Sequence, residues 1–234
     1  GERLCFKIYG NNIGYVPYIM PGFALAKKAF EVYQENPNIA GLILHKHGVF
    51  TFADTAKKSY DQMINLCNLA EKHIRNERRS SFVSIRLPKK TAKAYEIAPI
   101  LRGLVVDERK PMVLDFRTSK QVRKFVDGTD ILRYSQLGTV TPDHVIRTKP
   151  MPLVVPAPDA DNLNHFRKGA EIALKRYIRN YHAYFRRNNK IAPIKKTELD
   201  PFPRIILVPG LGLFGLGNSA KTAAISADLA ETNI

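Results

Sequence analysis

Residues 36–74 read "NPNIAGLILHKHGVFTFADTAKKSYDQMINLCNLAEKHI". The opening Asn-Pro-Asn breaks whatever precedes it. "IAGLIL" (39–44) is then an unbroken apolar run, short enough for a buried strand. It stops at His45 and His47, and a glycine follows. From "ADTAKK" onward the apolar spacing changes to that of a long helix. Tyr60, Met63, Ile64, Cys67, Ala70 and Ile74 mark its packed face, with Asp54 as the N-cap. Upstream, "PGFALAKKAFEVYQ" (21–34) repeats apolar residues at Ala26, Phe30 and Tyr33, again at helical spacing. The order is helix, strand, histidine-rich loop, helix, and this places the chain in the α/β class.

Two histidines separated by one residue on an extended strand share a face, with Cα atoms about 6–7 Å apart. Such a pair, His45 and His47, can hold a divalent metal together, or only one of them can reach it. A catalytic zinc site takes three protein ligands and leaves a position open. Local spacing offers no third donor. His73 lies far down the next helix, His165 and His182 lie on another helix, and His144 comes near only through folding.

Further along, "PMVLDF" (111–116) reads as a strand. "TSKQVRKFVDG" reads as a short helix capped at Thr118 or Ser119. "LGTVTPDHVIRTKPMPLVVPAPDAD" is rich in Pro and β-branched residues, so short strands and turns are expected there. One long helix follows, with Leu163, Phe166, Ala170, Ala173, Tyr177, Tyr181 and Tyr184 along a seam. Its other faces carry Arg167, Lys168, Lys175, Arg176, Arg179, Arg186 and Arg187. This basic face reads either as a binder of anionic surfaces or as a solvated interdomain helix; tyrosines on the seam favour packing.

"RIILVPGLGLFGLGNSAKTAAISADLAE" starts as an apolar strand and ends as an Ala-rich helix capped at Asn218 or Ser219. Between them Gly210, Gly212 and Gly215 satisfy G-x-G-x-x-G, with Gly217 beyond. In a strand–loop–helix setting that pattern binds the pyrophosphate of NAD or NADP at a helix N-terminus. The acidic residue expected about 20 positions on, after a second strand, has no counterpart. Asp228 and Glu231 fall within the helix. One strand and one helix do not make a dinucleotide pocket, so weak or no NAD(P) binding is expected.

The net charge of +16 is the strongest feature of the composition. It favours an anionic partner such as a phosphorylated metabolite, a dinucleotide or nucleic acid. The charge is spread along the chain and no nucleic-acid-binding signature accompanies it, which argues against the last. Two cysteines, Cys5 and Cys67, read as reduced thiols in a cytoplasmic setting, with Cys67 a small buried hydrophobe. No stretch has the length for a membrane span and no secretory leader is visible.

Residues 10–74 resemble the C-terminal half of the class II sugar-phosphate aldolases, the family that includes adducin heads. "APILRG" (98–103), "TPDHVIRTKPMPLVV" (141–155) and "PRIILVPGLGLFGLGNSAK" (203–221) extend the resemblance. Together they are similar to bacterial proteins in which a rhamnulose-1-phosphate aldolase is fused to a short-chain dehydrogenase. The resemblance implies that His47, before the glycine, is a zinc ligand; it gives His45 no assured role. It implies a sugar-phosphate substrate, a homo-oligomer, and retro-aldol cleavage coupled to NAD-dependent oxidation of the aldehyde. The upstream H-x-H, acid–base glutamate and phosphate loop of the family are missing before Gly10. The dehydrogenase Tyr-x-x-x-Lys is also missing; "Tyr177-Ile-Arg-Asn-Tyr181" does not match it. The zinc and NAD(P) sites are thus expected to be incomplete, and the chain to be an inactive internal piece of a longer enzyme. The rival readings are a basic nucleic-acid-binding module and an adducin-like interaction domain.

The expected architecture has four regions. Residues 1–79 are the aldolase-like half, 80–160 a joining α/β region, 161–200 the basic helix with its linker, and 201–234 the first β-α unit of a Rossmann fold. Arg102, His144, Arg147 and Lys149 are candidate functional groups of the joining region, His144 and Arg147 for catalysis. Their alternative is a structural role on turns and strand ends.

Overall fold

The computed structural model describes residues 1–77, 83–106 and 111–234, and the chain divides into two compact units, Gly1–Ser81 and Phe82–Ile234. The boundary expected at 79/80 lies outside the described residues.

In the first unit the elements run α1 (Glu2–Tyr9), a single 3-10 turn, β1 (Ile13–Val16), α2 (Phe23–Glu35), β2 (Gly41–Leu44), β3 (Gly48–Thr51) and α3 (Ala56–Asn76). The sheet order is β1-β2-β3, parallel between the first pair and antiparallel between the second. A parallel pair needs a crossover, and α2 supplies it. Val16, Ile39, Leu42 and Leu44 form the core, with Leu25, Ala29, Val32 and Tyr33 packed against them.

Both helices depart from the expected stripes. On α2 the packed residues include Leu25 and Val32, while Phe30 is 57% exposed. On α3 only Leu66 is fully buried, flanked by half-buried Gln62, Leu69 and His73. Tyr60, Ile64 and Ile74 are exposed, as is Cys67, so its thiol is no core hydrophobe. Apolar residues cover two sides of α3, and periodicity alone selected the wrong one. The N-cap is Thr55, whose side chain accepts from the Lys58 N–H at 3.2 Å, not Asp54.

The second unit contains α4 (Ala94–Leu104), β4 (Val113–Arg117), α5 (Lys120–Val126), α6 (Ile131–Tyr134), α7 (Pro142–Thr148), β5 (Leu153–Val154), α8 (Leu163–Ile191), β6 (Ile205–Val208), β7 (Gly212–Gly217) and α9 (Ala220–Thr232). Ser119 caps α5 and Ser219 caps α9, each accepting from the N–H three residues on. The sheet order is β4-β7-β6-β5. Strand β6 alternates its side chains between two cores. Ile206 and Val208 pack with Ile97, Leu101, Phe166, Phe214 and Leu216, the α4 and α8 side. Ile205 and Leu207 pack with Val122, Leu213, Ala227 and Ala230, the α5 and α9 side. Burial on both faces explains why β6 reads as a continuous apolar run.

The joining region, the long helix and the C-terminal segment therefore fold as one unit around one sheet. Two local expectations fail. "PDHVIRT" is the helix α7, because Pro142 stands in its first turn, where the missing N–H costs nothing and the fixed φ suits the helix. The glycine run is a strand. β6 and β7 pair antiparallel, joined by a Pro209-Gly210 turn in which the Leu211 N–H donates to Val208 O at 3.0 Å. Gly210 takes φ +85°, the sign that position of a type II turn requires. No Rossmann β–loop–α unit forms here.

Candidate functional site

His45 and His47 sit in the tight connection between β2 and β3, three residues wide, with Lys46 left-handed at φ 64°. This corrects the extended geometry expected for the pair. The His47 N–H donates to Leu44 O at 2.9 Å and closes the turn. The reversal sends the two rings to different neighbours. His45 lies tilted against Tyr15, centroids 5.8 Å apart, and His47 stacks on Tyr18 at 5.3 Å and 15°. Both imidazoles are half-buried.

The His47 Nε2 lies 2.8 Å from Ile19 O. A carbonyl only accepts, so Nε2 carries the hydrogen and Nδ1 is the lone-pair nitrogen of the neutral ring. This backbone contact fixes the tautomer and ring plane, as an outer partner does for a metal-ligating histidine. Against this, no group of three or more His, Cys, Asp or Glu able to hold a metal occurs among the described residues. Of the pair, His47 is anchored, and no zinc site forms among the described residues. The described residues do not fit the metal by themselves.

The glycines do not fit a dinucleotide. An added Cβ at Gly215 would lie 2.5 Å from both Ala223 O and Ala227 N. The close approach that the glycine permits is to α9, and this leaves no room there for a pyrophosphate. Gly212, Gly215 and Gly217 lie within β7, and Gly210 in the preceding turn, its N–H donating to Asp127 Oδ1 at 2.6 Å.

The joining-region candidates do not converge. The Asn233 side-chain amide donates to His144 Nδ1 at 3.0 Å, tying α7 to the end of α9. Arg147 is exposed on α7. The Arg102 Nε donates to Met112 O at 3.1 Å, bracing α4 against the entry to β4. Lys149 differs from these. It is 4% exposed, at φ 61°, and its ammonium donates to Asp200 O and lies 3.6 Å from Asp200 Oδ1 and 4.1 Å from the Tyr181 ring centroid. Burial lowers its pKa to about 8, against the opposing pull of Asp200. Burial pushes the Asp200 carboxyl up, but Arg204 and Lys149 hold it below its usual value. Asp200 escapes sequence reasoning because its partners lie 51 residues before it and four after it, and the local sign is the two prolines that follow it, Pro201 and Pro203.

Beside this cluster a cleft of about 490 Å³ runs between the C-terminal half of α8 and Pro150–Val154. Tyr177, Tyr181 and Tyr184, expected to pack on the seam, line it, together with Arg176, Asn180 and Arg187. Burial pushes the Tyr177 phenol well above its usual value. No helix among the described residues is long and apolar enough to cross a membrane.

Residues 2–74 match the family model described as the class II aldolase and adducin N-terminal domain. Residues 92–234 match the one described as aldolase class II, second domain. That match runs through the glycine-rich strand to residue 234, so residues 201–234 belong with the second domain. The uncharacterized oxidoreductase YuxG of Bacillus subtilis (strain 168) is 30% identical over 237 residues, 98% of this chain and 34% of that protein. The chain thus spans about a third of the length of this relative. A solved N-terminal class II aldolase domain of a conserved protein from Thermoplasma acidophilum is 44% identical, over 32% of this chain and 33% of its own, with a TM-score of 0.28. With the second-domain model matched over more than half of its residues, the chain belongs to the class II aldolase family.

Proposed function

We propose that this chain serves a longer protein that cleaves a ketose 1-phosphate of the rhamnulose type and oxidises the released aldehyde with NAD. The chain contributes the distal part of the aldolase half, and neither reaction is assigned to its described residues alone. The observation that carries the reading is the order of the chain's two matches, aldolase N-terminal domain then aldolase second domain, together with its 30% identity to a third of a protein named as an oxidoreductase. The net charge of +16 suits phosphate-bearing substrates.

His47 is the residue proposed to take part. Its Nε2 contact with Ile19 O aims the ring and leaves Nδ1 as a donor atom. The remaining metal donors are assigned to the rest of the longer protein, and no bond-breaking step is assigned to the chain alone. In this reading the protein works as a homo-oligomer.

The test is a coupled assay on the longest natural form of the protein, supplied with rhamnulose 1-phosphate and NAD. The expected result is release of dihydroxyacetone phosphate and reduction of NAD, with His47→Ala lowering triose release by about 100-fold or more, as loss of a metal ligand or its support does. Unchanged release in that variant would remove His47 from the site.

The second reading is an adducin-like interaction domain that keeps the fold without chemistry. What favours it is the lack of a three-donor metal group among the described residues. Elemental analysis of the same long form separates the two, because stoichiometric zinc belongs only to the first.

A further inference from the structure

The cleft along α8 has the makings of a site that the aldolase reading does not use. Its volume of about 490 Å³ falls inside the range of roughly 300–1,000 Å³ found for small-molecule pockets. A sugar phosphate would leave much of it empty.

Its floor is aromatic. The Tyr177 and Tyr181 rings are nearly parallel, at 4° and 6.5 Å between centroids, and Tyr184 continues the run 6.4 Å from Tyr181. Lys149 covers one face of Tyr181, and the rest of the run offers flat phenol surface to a planar ring.

Its charge is of one sign. Arg176 and Arg187 both line the cleft and are exposed, and the lining includes no carboxylate. Neither arginine forms an ion pair among the described residues. The nearby acids are engaged elsewhere, Glu198 with His182 at 2.8 Å and Asp200 with Lys149 and Arg204. Eleven residues separate the two arginines. On a helix that is about 16 Å along the axis and about 20° of rotation, so they bracket the tyrosines along the axis, with the phenols roughly 60–140° further round in the same cleft. Guanidinium groups grip phosphate oxygens in pairs. Asn180, four residues after Arg176, adds an amide to the same face.

An aromatic floor beside an exposed guanidinium with no ion pair among the described residues suits a ligand with a planar ring at one point and phosphate at another. We propose that the cleft between α8 and Pro150–Val154 binds a mononucleotide, its base on the Tyr181–Tyr184 run and its phosphate on Arg187, one helical turn beyond Tyr184.

The test is isothermal titration calorimetry of the whole chain with AMP, adenosine and inorganic phosphate as separate probes. The expected result is one AMP per chain with Kd below about 1 mM. Adenosine and phosphate should each bind about tenfold or more weaker, since each keeps half of the contacts. Arg187→Gln should weaken AMP about tenfold, the worth of a charge-assisted hydrogen bond, Arg176→Gln should weaken it less, and Tyr184→Leu should weaken adenosine as well as AMP. Both arginines are exposed, so an unchanged melting temperature shows that those variants still fold. Three results would overturn the proposal. These are no saturable heat with AMP, inorganic phosphate binding as tightly as AMP, and affinity indifferent to Arg187→Gln. A single-stranded oligonucleotide that binds far more tightly than AMP would likewise replace it with a nucleic-acid surface.

Discussion

Lys149 carries the clearest energetic signature of any single residue. Its ammonium is buried against Tyr181 and Asp200, and burial lowers its pKa from 10.5 to about 8. Below about pH 8 both folded and unfolded chains hold this proton, and the desolvation cost is fully present. Between about 8 and 10.5 the unfolded chain holds more protons than the folded one, so this residue's contribution to stability rises with pH. The prediction is an alkaline gain in the second unit's stability of at most ~3 kcal/mol across that window. Thermal melts from pH 7 to 10.5 would detect it, and Lys149→Met should flatten the slope. Asp200 keeps Arg204 at 2.9 Å in that variant, so the carboxylate is not stranded. The residue was visible in the sequence as a candidate, but its burial was not, since the groups that enclose it come from α8 and from the loop before β6. His47 was legible as the residue before a glycine. Its anchor, Ile19 O, was not, because a backbone carbonyl 28 residues away leaves no trace in composition or spacing.

Among the elements, the β7–α9 contact is sensitive to a single methyl group. An added Cβ at Gly215 would meet Ala223 O and Ala227 N at 2.5 Å and Ala227 Cβ at 2.8 Å. Backbone on the far side cannot swing away, so Gly215→Ala should destabilise the second unit by about 2–3 kcal/mol, the cost of overpacking a filled core. Gly103 is the control. It lies in α4 with nothing within 4 Å of an added Cβ, and Gly103→Ala should stabilise by about 0.5–1 kcal/mol. Urea titrations of the two variants should therefore move in opposite directions. The same contact explains why the glycine run misleads. A helix packed against a bare strand and a loop packed against a pyrophosphate both require glycine at close spacing, and only the pairing partner separates them. Residues Val113–Arg117, nearly 100 positions upstream, pair with Leu213–Gly217 and decide it. The α7 segment misled for a related reason. Pro142 reads as a breaker until it is known to be the first residue of a helix. The long helix was legible in its first half, since Phe166, Ala170 and Ala173 of the expected seam are buried, whereas Tyr177, Tyr181 and Tyr184 line a cleft.

For the whole molecule, the two units differ in how much they bury. The first encloses Val16, Ile39, Leu42 and Leu44 as its core cluster. It exposes Met20 at 71%, Phe23 at 86% and Phe30 at 57%. The second has two clusters on opposite faces of one sheet. Amide hydrogen exchange should then show β6, β7 and the middle of α8 protected longest, and β1 to β3 exchanging earlier, because protection follows the local density of buried contacts. Equal protection in both units would mean that something else covers the first unit's apolar residues in solution. The α/β class was readable at this scale from the alternation of periods. The division into two units was not, because the sheet of the second unit is assembled from strands that lie up to 100 residues apart.

The stacked phenols of α8 also make the protein its own spectroscopic probe. The chain has ten tyrosines and no tryptophan, so no indole masks their ultraviolet signals. Tyr177, Tyr181 and Tyr184 are close enough for their electronic transitions to couple. Near-ultraviolet dichroism should accordingly follow the order of that one helix, without any label being attached.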